Sequence, residues 1–255
     1  MGQSTKKNPI YIIGIDPGIV NIGVCVLRID KPGVYIEKSS LLKNNEEFSK
    51  SECDMLVWRW FKKRWNKYIK YAIIVFIEKQ LIGNCVIVEI CLKCYIQTFS
   101  FMNNLSTPLV ISKSPKWWKN RIGISSFINI YDEKIIKNKK IGKNGKKLIN
   151  PNHKINKKKS LIFFMFISSK YKKNTKIHND KYDIDAENLL KKNPNISIDE
   201  VEAFFMAKVC KQYIYPIIKS TKKINIHDNI LSLSLYDKNG DISFKKKKLK
   251  VKKLV

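Results

Sequence analysis

The sequence predicts an α/β fold: a mixed five-stranded sheet, its first three strands antiparallel, flanked by helices. Three observations predict it. Residues 10–27, IYIIGIDPGIVNIGVCVL, hold two β-branched runs around Pro17-Gly18, the pattern of a buried hairpin. Residues 72–77, AIIVFI, form a continuous apolar run, as expected of a strand buried on both faces. Between and beyond these runs, apolar residues recur at helical spacing.

The first strand, residues 10–15, is closed by a single acid, Asp16. Alternation then resumes through Ile22, Val24 and Val26, so the second strand folds back beside the first. A carboxylate at the end of a buried strand is costly unless positive charge compensates it, and a metal ion is the usual compensation. Lys31-Pro32-Gly33 turns the chain into a third strand over residues 34–42. From 51 to 71 the spacing of Met55, Leu56, Trp58, Phe61, Trp65 and Ile69 predicts an amphipathic helix, with Lys62, Lys63, Arg64 and Lys67 outside.

The 72–77 strand ends on Glu78, so the opening pattern repeats: a buried strand stopped by one acid. Lys79-Gln80 follow, then an apolar helix over about 81–98. Residues 81–101 are the most membrane-like part of the chain, but Asn84, Glu89, Lys93 and Gln97 interrupt them, which predicts a buried helix. Residues 107–112, TPLVIS, supply the fifth strand. Beyond them Lys113, Lys116, Lys119 and Arg121 interleave with Trp117 and Trp118. Cations beside aromatics suit phosphate contact combined with base stacking. The competing reading makes one tryptophan core and leaves the lysines solvated.

Residues 134–159 are lysine-rich and poor in apolar residues, and read as a mobile basic loop in which Lys157 and Lys158 grip a phosphate backbone. SLIFFMFISS, residues 160–169, returns to the core as a helix. Residues 170–195 read as a polar connector holding Asp180, Asp183, Asp185 and Glu187. Ser197-x-x-Glu200 then has the form of a capping box. It opens a helix, VEAFFMAKVCKQYIY, expected to end at Tyr215 before Pro216. Asp199 and Glu202, three apart, share one face of it. One further strand is expected at 230–236, ahead of a basic tail.

Composition narrows the function. The 255 residues hold 50 Lys plus Arg against 21 Asp plus Glu, a net charge of +29, and such an excess favours a polyanion, nucleic acid first. Abundant aromatics, 12 Phe, 11 Tyr and 5 Trp, argue against a disordered chain. Six cysteines without a secretory leader suggest reduced thiols, and the single Cys91-x-x-Cys94 pair is a weak zinc signal. An actin-like ATPase would need further glycine-rich phosphate loops, and the ten glycines form none.

The acids are the most specific feature. Asp16, Glu78 and the Asp199/Glu202 pair come from three buried elements whose ends can converge on one face of a mixed sheet. Four carboxylates make a hard, oxygen-rich site suited to two Mg²⁺ or Mn²⁺ ions. Two such ions, roughly 3.5–4 Å apart, can activate a water and stabilise the leaving oxygen of a phosphodiester.

On the pieces IIGIDPGIVNIGVCVL (12–27), VFIEKQ (75–80), SPKWWK (114–119) and IDEVEAFFMA (198–207), the chain resembles the RNase H-like nucleases. Within them it is most similar to the RuvC-type Holliday junction resolvases, including their poxvirus and mitochondrial branches. The resemblance spans about residues 10–215. It implies that Asp16, Glu78, Asp199 and Glu202 take the metal-binding, catalytic places, with Glu202 standing where the family usually has Asp. Asp183-x-Asp185 lies just upstream as a competing candidate. Asp199 and Glu202 are preferred, because the upstream acids sit in a polar segment with no buried helix to hold them, and whether Asp185 replaces Glu202 stays open.

The resemblance further implies a Mg²⁺-dependent endodeoxyribonuclease that cuts four-way junctions as a homodimer, without a membrane partner. Lys79, Gln80, Lys113, Lys116, Trp117, Lys119, Arg121, Lys157 and Lys158 would contact the DNA, and the apolar 81–98 helix would form the dimer interface. The expected organisation is a basic arm (1–9), a nuclease domain (10–220) and a basic extension (221–255). A viral protein replicating in host cytoplasm is the expected setting, with nucleus or mitochondrion as alternatives. Competing functions are another RNase H-like nuclease, acting on branched DNA, flaps or RNA–DNA hybrids, and a junction-binding protein without catalysis.

Overall fold

In the computed structural model, five strands form one mixed sheet in the order β3-β2-β1-β4-β5. The structure describes residues 8–31, 36–43, 53–81, 83–125, 151–169 and 182–221. Strands β1 (Tyr11–Asp16), β2 (Asn21–Arg28) and β3 (Ile36–Lys43) form an antiparallel meander. Strands β4 (Ala72–Glu78) and β5 (Leu109–Lys113) run parallel to β1. The expected α/β class and the mixed five-stranded sheet, its first three strands antiparallel, are therefore observed.

Because side chains alternate along a strand, the sheet has two distinct faces. Tyr11, Ile13 and Ile15 of β1, Ile22, Val24 and Val26 of β2, and Val75 and Ile77 of β4 point to one of them. Helices α1 (Cys53–Arg64), α2 (Asn66–Ile69) and α3 (Asn84–Met102) supply the rest of that core through Val57, Trp60, Phe61, Trp65, Tyr68, Val88, Leu92, Tyr95 and Ile96. The helix expected over 51–71 thus breaks at Trp65. Its buried face is also rotated from the expected one, since Met55 and Trp58 are exposed while Val57 and Trp60 are buried. The Trp58 ring meets Tyr95 of α3 edge-on at 5.1 Å.

Helix α3 is, among the described residues, the one helix long and apolar enough to cross a membrane. Here its Val88, Leu92, Tyr95 and Ile96 pack into the core.

Helices α4 (Pro115–Ile122), α5 (Pro151–Ile167), α6 (Ile184–Lys192) and α7 (Ile198–Val209) follow. Helix α7 lies across β1 and β2, buried on every side from Asp199 to Val209. The expected capping box opens it: Ser197 Oγ accepts from the Glu200 amide at 3.2 Å, and the Glu200 carboxylate accepts from the Ser197 amide at 3.0 Å.

Two glycines let α7 approach the sheet. A Cβ on Gly14 would stand 2.0 Å from the Ala203 carbonyl oxygen, and one on Gly23 would stand 2.2 Å from that of Asp199. Phe163 and Phe164 of α5 close over Phe204 and Phe205 of α7, ring to ring at 5.5–6.2 Å.

Three expectations need correction. Helix α5 starts at Pro151 rather than Ser160, so the last part of the supposed basic loop, including Lys157 and Lys158, has helical backbone. The supposed polar connector contains α6, whose Asp183 caps it by accepting from the Asp185 and Ala186 amides. Pro216 does not stop the chain: a π-helical turn (Cys210–Ile214) leads into α8 (Tyr215–Thr221). The π-helical turn lies just ahead of Pro216, whose missing N–H interrupts the α-helical hydrogen-bond ladder there. The chain divides into a unit ending at Tyr215 and a second beginning at Pro216. The strand expected at 230–236, the basic tail and the loop over 134–150 lie outside the described residues.

Candidate active site

Asp16 and Glu78 end adjacent parallel strands. Ile15 pairs with Ile77, so the next residues outward, Asp16 and Glu78, stand side by side on one face, about one strand spacing (~4.8 Å) apart. It is the face opposite the aromatic core, shared with Gly14, Gly23 and Cys25. Lys113, register partner of Glu78 on β5, points to the same side.

The late helix meets this face where the acids are. Asp16 pairs with Gly23, and the backbone of Asp199 lies directly on Gly23, which places the start of α7 one strand from Asp16. Glu202 is brought in through α4. Trp118 and Lys119 are consecutive: the Trp118 indole N–H donates to Glu78 Oε1 at 2.9 Å, and Lys119 Nζ donates to Glu202 Oε1 at 2.8 Å. One turn of α4 therefore touches an acid from β4 and an acid from α7.

Ser160 of α5 donates to the same Glu202 oxygen at 2.8 Å. All four acids are buried: Asp16 is 5%, Glu78 7%, Asp199 8% and Glu202 2% exposed. Among the described residues no three His, Cys, Asp or Glu side chains form a ready-made metal cluster. Asp16 and Glu78 share a sheet face and a strand end, the Asp199 backbone lies on Gly23 beside Asp16, and Glu202 is held by Lys119 and Ser160. An all-carboxylate donor set is the chemistry that Mg²⁺ or Mn²⁺ selects, so the residues fit such ions by type.

The competing acids are engaged by lysines, as Glu202 is by Lys119. Asp185 is 1% exposed, and one of its oxygens accepts from both Lys208 and Lys211, the latter at 2.8 Å. Lys208 also donates to Asp183 at 2.9 Å. The sequence-based preference for Asp199 and Glu202 assumed that no buried helix holds the upstream acids. That premise is corrected: α6 buries Asp185, and an ion-pair network between α6 and α7 engages it.

The tryptophans divide. Trp118 is wholly buried, stacked 6.2 Å from Phe205 with Lys119 Nζ 4.9 Å from its ring. Trp117 is half-buried, 5.8 Å from Phe76, and its outer face meets the Arg121 guanidinium at 3.8 Å. Lys79 and Lys116 are exposed beside this edge, and Lys158 is exposed on α5. Gln80 turns its side-chain amide back toward Glu78, 3.4 Å from Oε2.

Sequence reasoning missed Ser160, the indole donor on Glu78, and Glu89. Glu89 of α3 is buried and accepts from the Gln80 amide (2.8 Å), Ser112 Oγ (2.6 Å) and Lys93. Burial pushes its carboxyl upward, but these donors outweigh burial and hold it below the usual range. A lone acid in an apolar helix is a signal that could have found it, because such a charge needs partners.

No protein-family model matches the chain. No curated protein matches it either. Among solved structures it is similar to the Fowlpox virus resolvase complexed with Holliday junction DNA, with 16% identity over 78% of this chain and 95% of that one, TM-score 0.39. It is also similar to the yeast mitochondrial Holliday junction resolvase, with 16% identity over 84% and 89%, TM-score 0.34. A third is Thermus thermophilus RuvC in complex with a Holliday junction, with 14% identity over 53% and 84%, TM-score 0.32.

Proposed function

We propose that this chain is a divalent-metal-dependent endodeoxyribonuclease that resolves four-way DNA junctions, a RuvC-type enzyme of a poxvirus- and mitochondrial-like branch. The observation that carries the reading is the register of Asp16 with Glu78 at two parallel strand ends, beneath the helix that bears Asp199 and Glu202. These four acids would hold the metal, two ions per site. Bound there, a divalent metal would supply Lewis-acid activation of a water and of the departing oxygen.

The chain's own groups set the stage. Trp118 fixes the orientation of Glu78 from a dry, stacked position, so the carboxylate does not reorganise when substrate arrives. Ser160 and Lys119 do the same for Glu202, and Lys119 keeps a positive charge where a phosphate would sit. Lys79, Lys113, Lys116 and Arg121 ring the strand ends and would neutralise backbone phosphates, with Trp117 backing Arg121. Gln80, Lys119, Lys157 and Lys158 complete the DNA-contacting set. Binding should weaken steeply with salt, because each neutralised phosphate releases condensed counterion.

Two symmetric incisions need two active sites, so the enzyme acts as a homodimer. Helix α3 offers the interface: Ile90, Phe101 and Met102 are exposed along it, and Leu81 is exposed ahead of it. The domain runs over 10–220, with basic segments on either side. A large DNA virus replicating in host cytoplasm suits the Lys-, Asn- and Ile-rich composition.

The test is side-by-side cleavage of a four-way junction, a flap, a plain duplex and an RNA–DNA hybrid in Mg²⁺. Paired nicks in the junction, exceeding cleavage of the others by at least about tenfold, are expected. Preferred cutting of flap or hybrid would reassign the substrate within the RNase H-like nucleases. Tight junction binding with no cleavage in Mg²⁺ or Mn²⁺ would leave a binding protein.

A further inference from the structure

We propose that Glu89 is a positioning residue for the proposed cleavage site: a strut from α3 that fixes the backbone immediately after Glu78. The inference rests on the nuclease reading above and adds a residue to it.

The two amides that follow Glu78 are both tied, in different directions. The Lys79 N–H donates to the Lys113 carbonyl of β5 at 2.9 Å, and the Gln80 N–H donates to Glu89 Oε2 at 2.8 Å. The other oxygen of Glu89 accepts from Ser112, the residue before Lys113, at 2.6 Å. The contacts close a ring: Glu78's loop to β5, β5 to Glu89, and Glu89 back to the loop. Lys93, one helical turn further along α3, neutralises the carboxylate.

A carboxylate buried in an apolar helix costs desolvation that a leucine would not incur. What it supplies here is an ionised acceptor able to bind a backbone amide and a hydroxyl from two different elements at once. Without it the Gln80 amide loses its acceptor while the Lys79 amide keeps its bond to β5, and Gln80 can swing about that anchor. Because Gln80 reaches back to Glu78, the swing would carry over to the proposed metal ligand. A displacement of about 1 Å at such a group can cost on the order of a hundredfold in rate.

The experiment uses the full chain in two measurements. The first is amide hydrogen exchange at Gln80 without metal, in wild type, Glu89→Gln and Glu89→Ala. The second is single-turnover cleavage of a four-way junction in Mg²⁺, with junction affinity measured in parallel. Glu89→Ala is expected to speed Gln80 exchange by about tenfold or more while leaving β1 and β4 amides protected. Its cleavage at saturating junction should fall about tenfold to a hundredfold with affinity within about threefold. Glu89→Gln keeps a carbonyl acceptor and should recover most of the loss.

Unchanged Gln80 exchange in Glu89→Ala, or faster exchange with undiminished cleavage, would overturn the proposal. So would equal losses in both variants in proportion to lost folded protein. Should Glu89→Ala fail to fold, Ser112→Ala opens the ring from the β5 side, and several-fold slower cleavage supports the strut while wild-type rates refute it. A wild-type protein that cleaves nothing removes the nuclease reading, and the strut then stands or falls on the exchange result alone.

Discussion

The two faces of the sheet obey different rules. Against α1–α3 the central strands β1, β2 and β4 contribute Tyr11, Ile13, Ile15, Ile22, Val24, Val26, Val75 and Ile77, and the aromatic cluster of Trp60, Phe61, Trp65, Tyr68 and Tyr95 fills the layer ring against ring at 5.1–6.1 Å. Against α7 the same strands present Gly14, Gly23 and Cys25 among buried Ile12, Leu27, Ile74 and Phe76, and then the acids. One face maximises apolar burial. The other gives up side-chain volume so that a helix backbone can sit on the sheet and deliver charged groups to the strand ends. Apolar packing thus continues on both sides of the layer, while the acids gather on one.

The comparison can be broken from either side, and the largest effect is expected on the aromatic face. Trp65→Ala removes a fully buried ring and should cost about 3–5 kcal/mol in urea unfolding, with the protein that remains folded cleaving at its normal rate. Gly23→Ala attacks the other face. Its Cβ would meet the Asp199 backbone at 2.2 Å, so α7 must move, costing about 3 kcal/mol and displacing Asp199 and Glu202. Unlike Trp65→Ala, it should slow cleavage more than the lost folded fraction explains. Equal behaviour of the two variants would erase the distinction between the faces.

Trp118→Phe is a finer probe. Phenylalanine keeps most of the stacking on Phe205 but removes the N–H that holds Glu78. The expected loss is about 1 kcal/mol of stability and about tenfold in cleavage rate, checked by thermal unfolding and single-turnover kinetics. A rate equal to wild type would show that Glu78 needs no such support.

The smallest effect is expected at the far end of the hairpin, away from the site. Hydrogen bonds from Arg28, outweighing partial desolvation and helped by the Ile10 amide, lower the Asp30 carboxyl to about 2. The folded state therefore favours the ionised form. Its stabilisation is complete above the ordinary carboxylate range near pH 4 and is lost as pH falls toward 2. Asp30→Asn should lower stability at neutral pH by no more than about 1 kcal/mol and flatten its dependence on pH between 4 and 2. Cleavage should be untouched.

Much of this arrangement was legible in the sequence, for identifiable reasons. Alternation in β2, and apolar runs in β1 and β4 each stopped by a single acid, placed Asp16 and Glu78 at strand ends from local pattern alone. The Ser197–Glu200 capping box is likewise local. What the pattern cannot carry is contact across long stretches of chain: Trp118 to Glu78, Lys119 and Ser160 to Glu202, Glu89 to Gln80 and Ser112. Local polarity misled as well. Lysines hid the start of α5, and Asp185 looked solvent-facing because its partners, Lys208 and Lys211, come from another helix. Trp117 and Trp118 were indistinguishable as letters, and burial separates them.

The most direct test of the central claim is Asp16→Asn, which removes one charge from the strand end while preserving shape. Junction affinity without metal and single-turnover cleavage in Mg²⁺ should be measured on the same preparation. The expected result is affinity within about threefold of wild type and cleavage reduced by at least about a thousandfold. Wild-type cleavage by Asp16→Asn would contradict the assignment of these strand ends as a nuclease site.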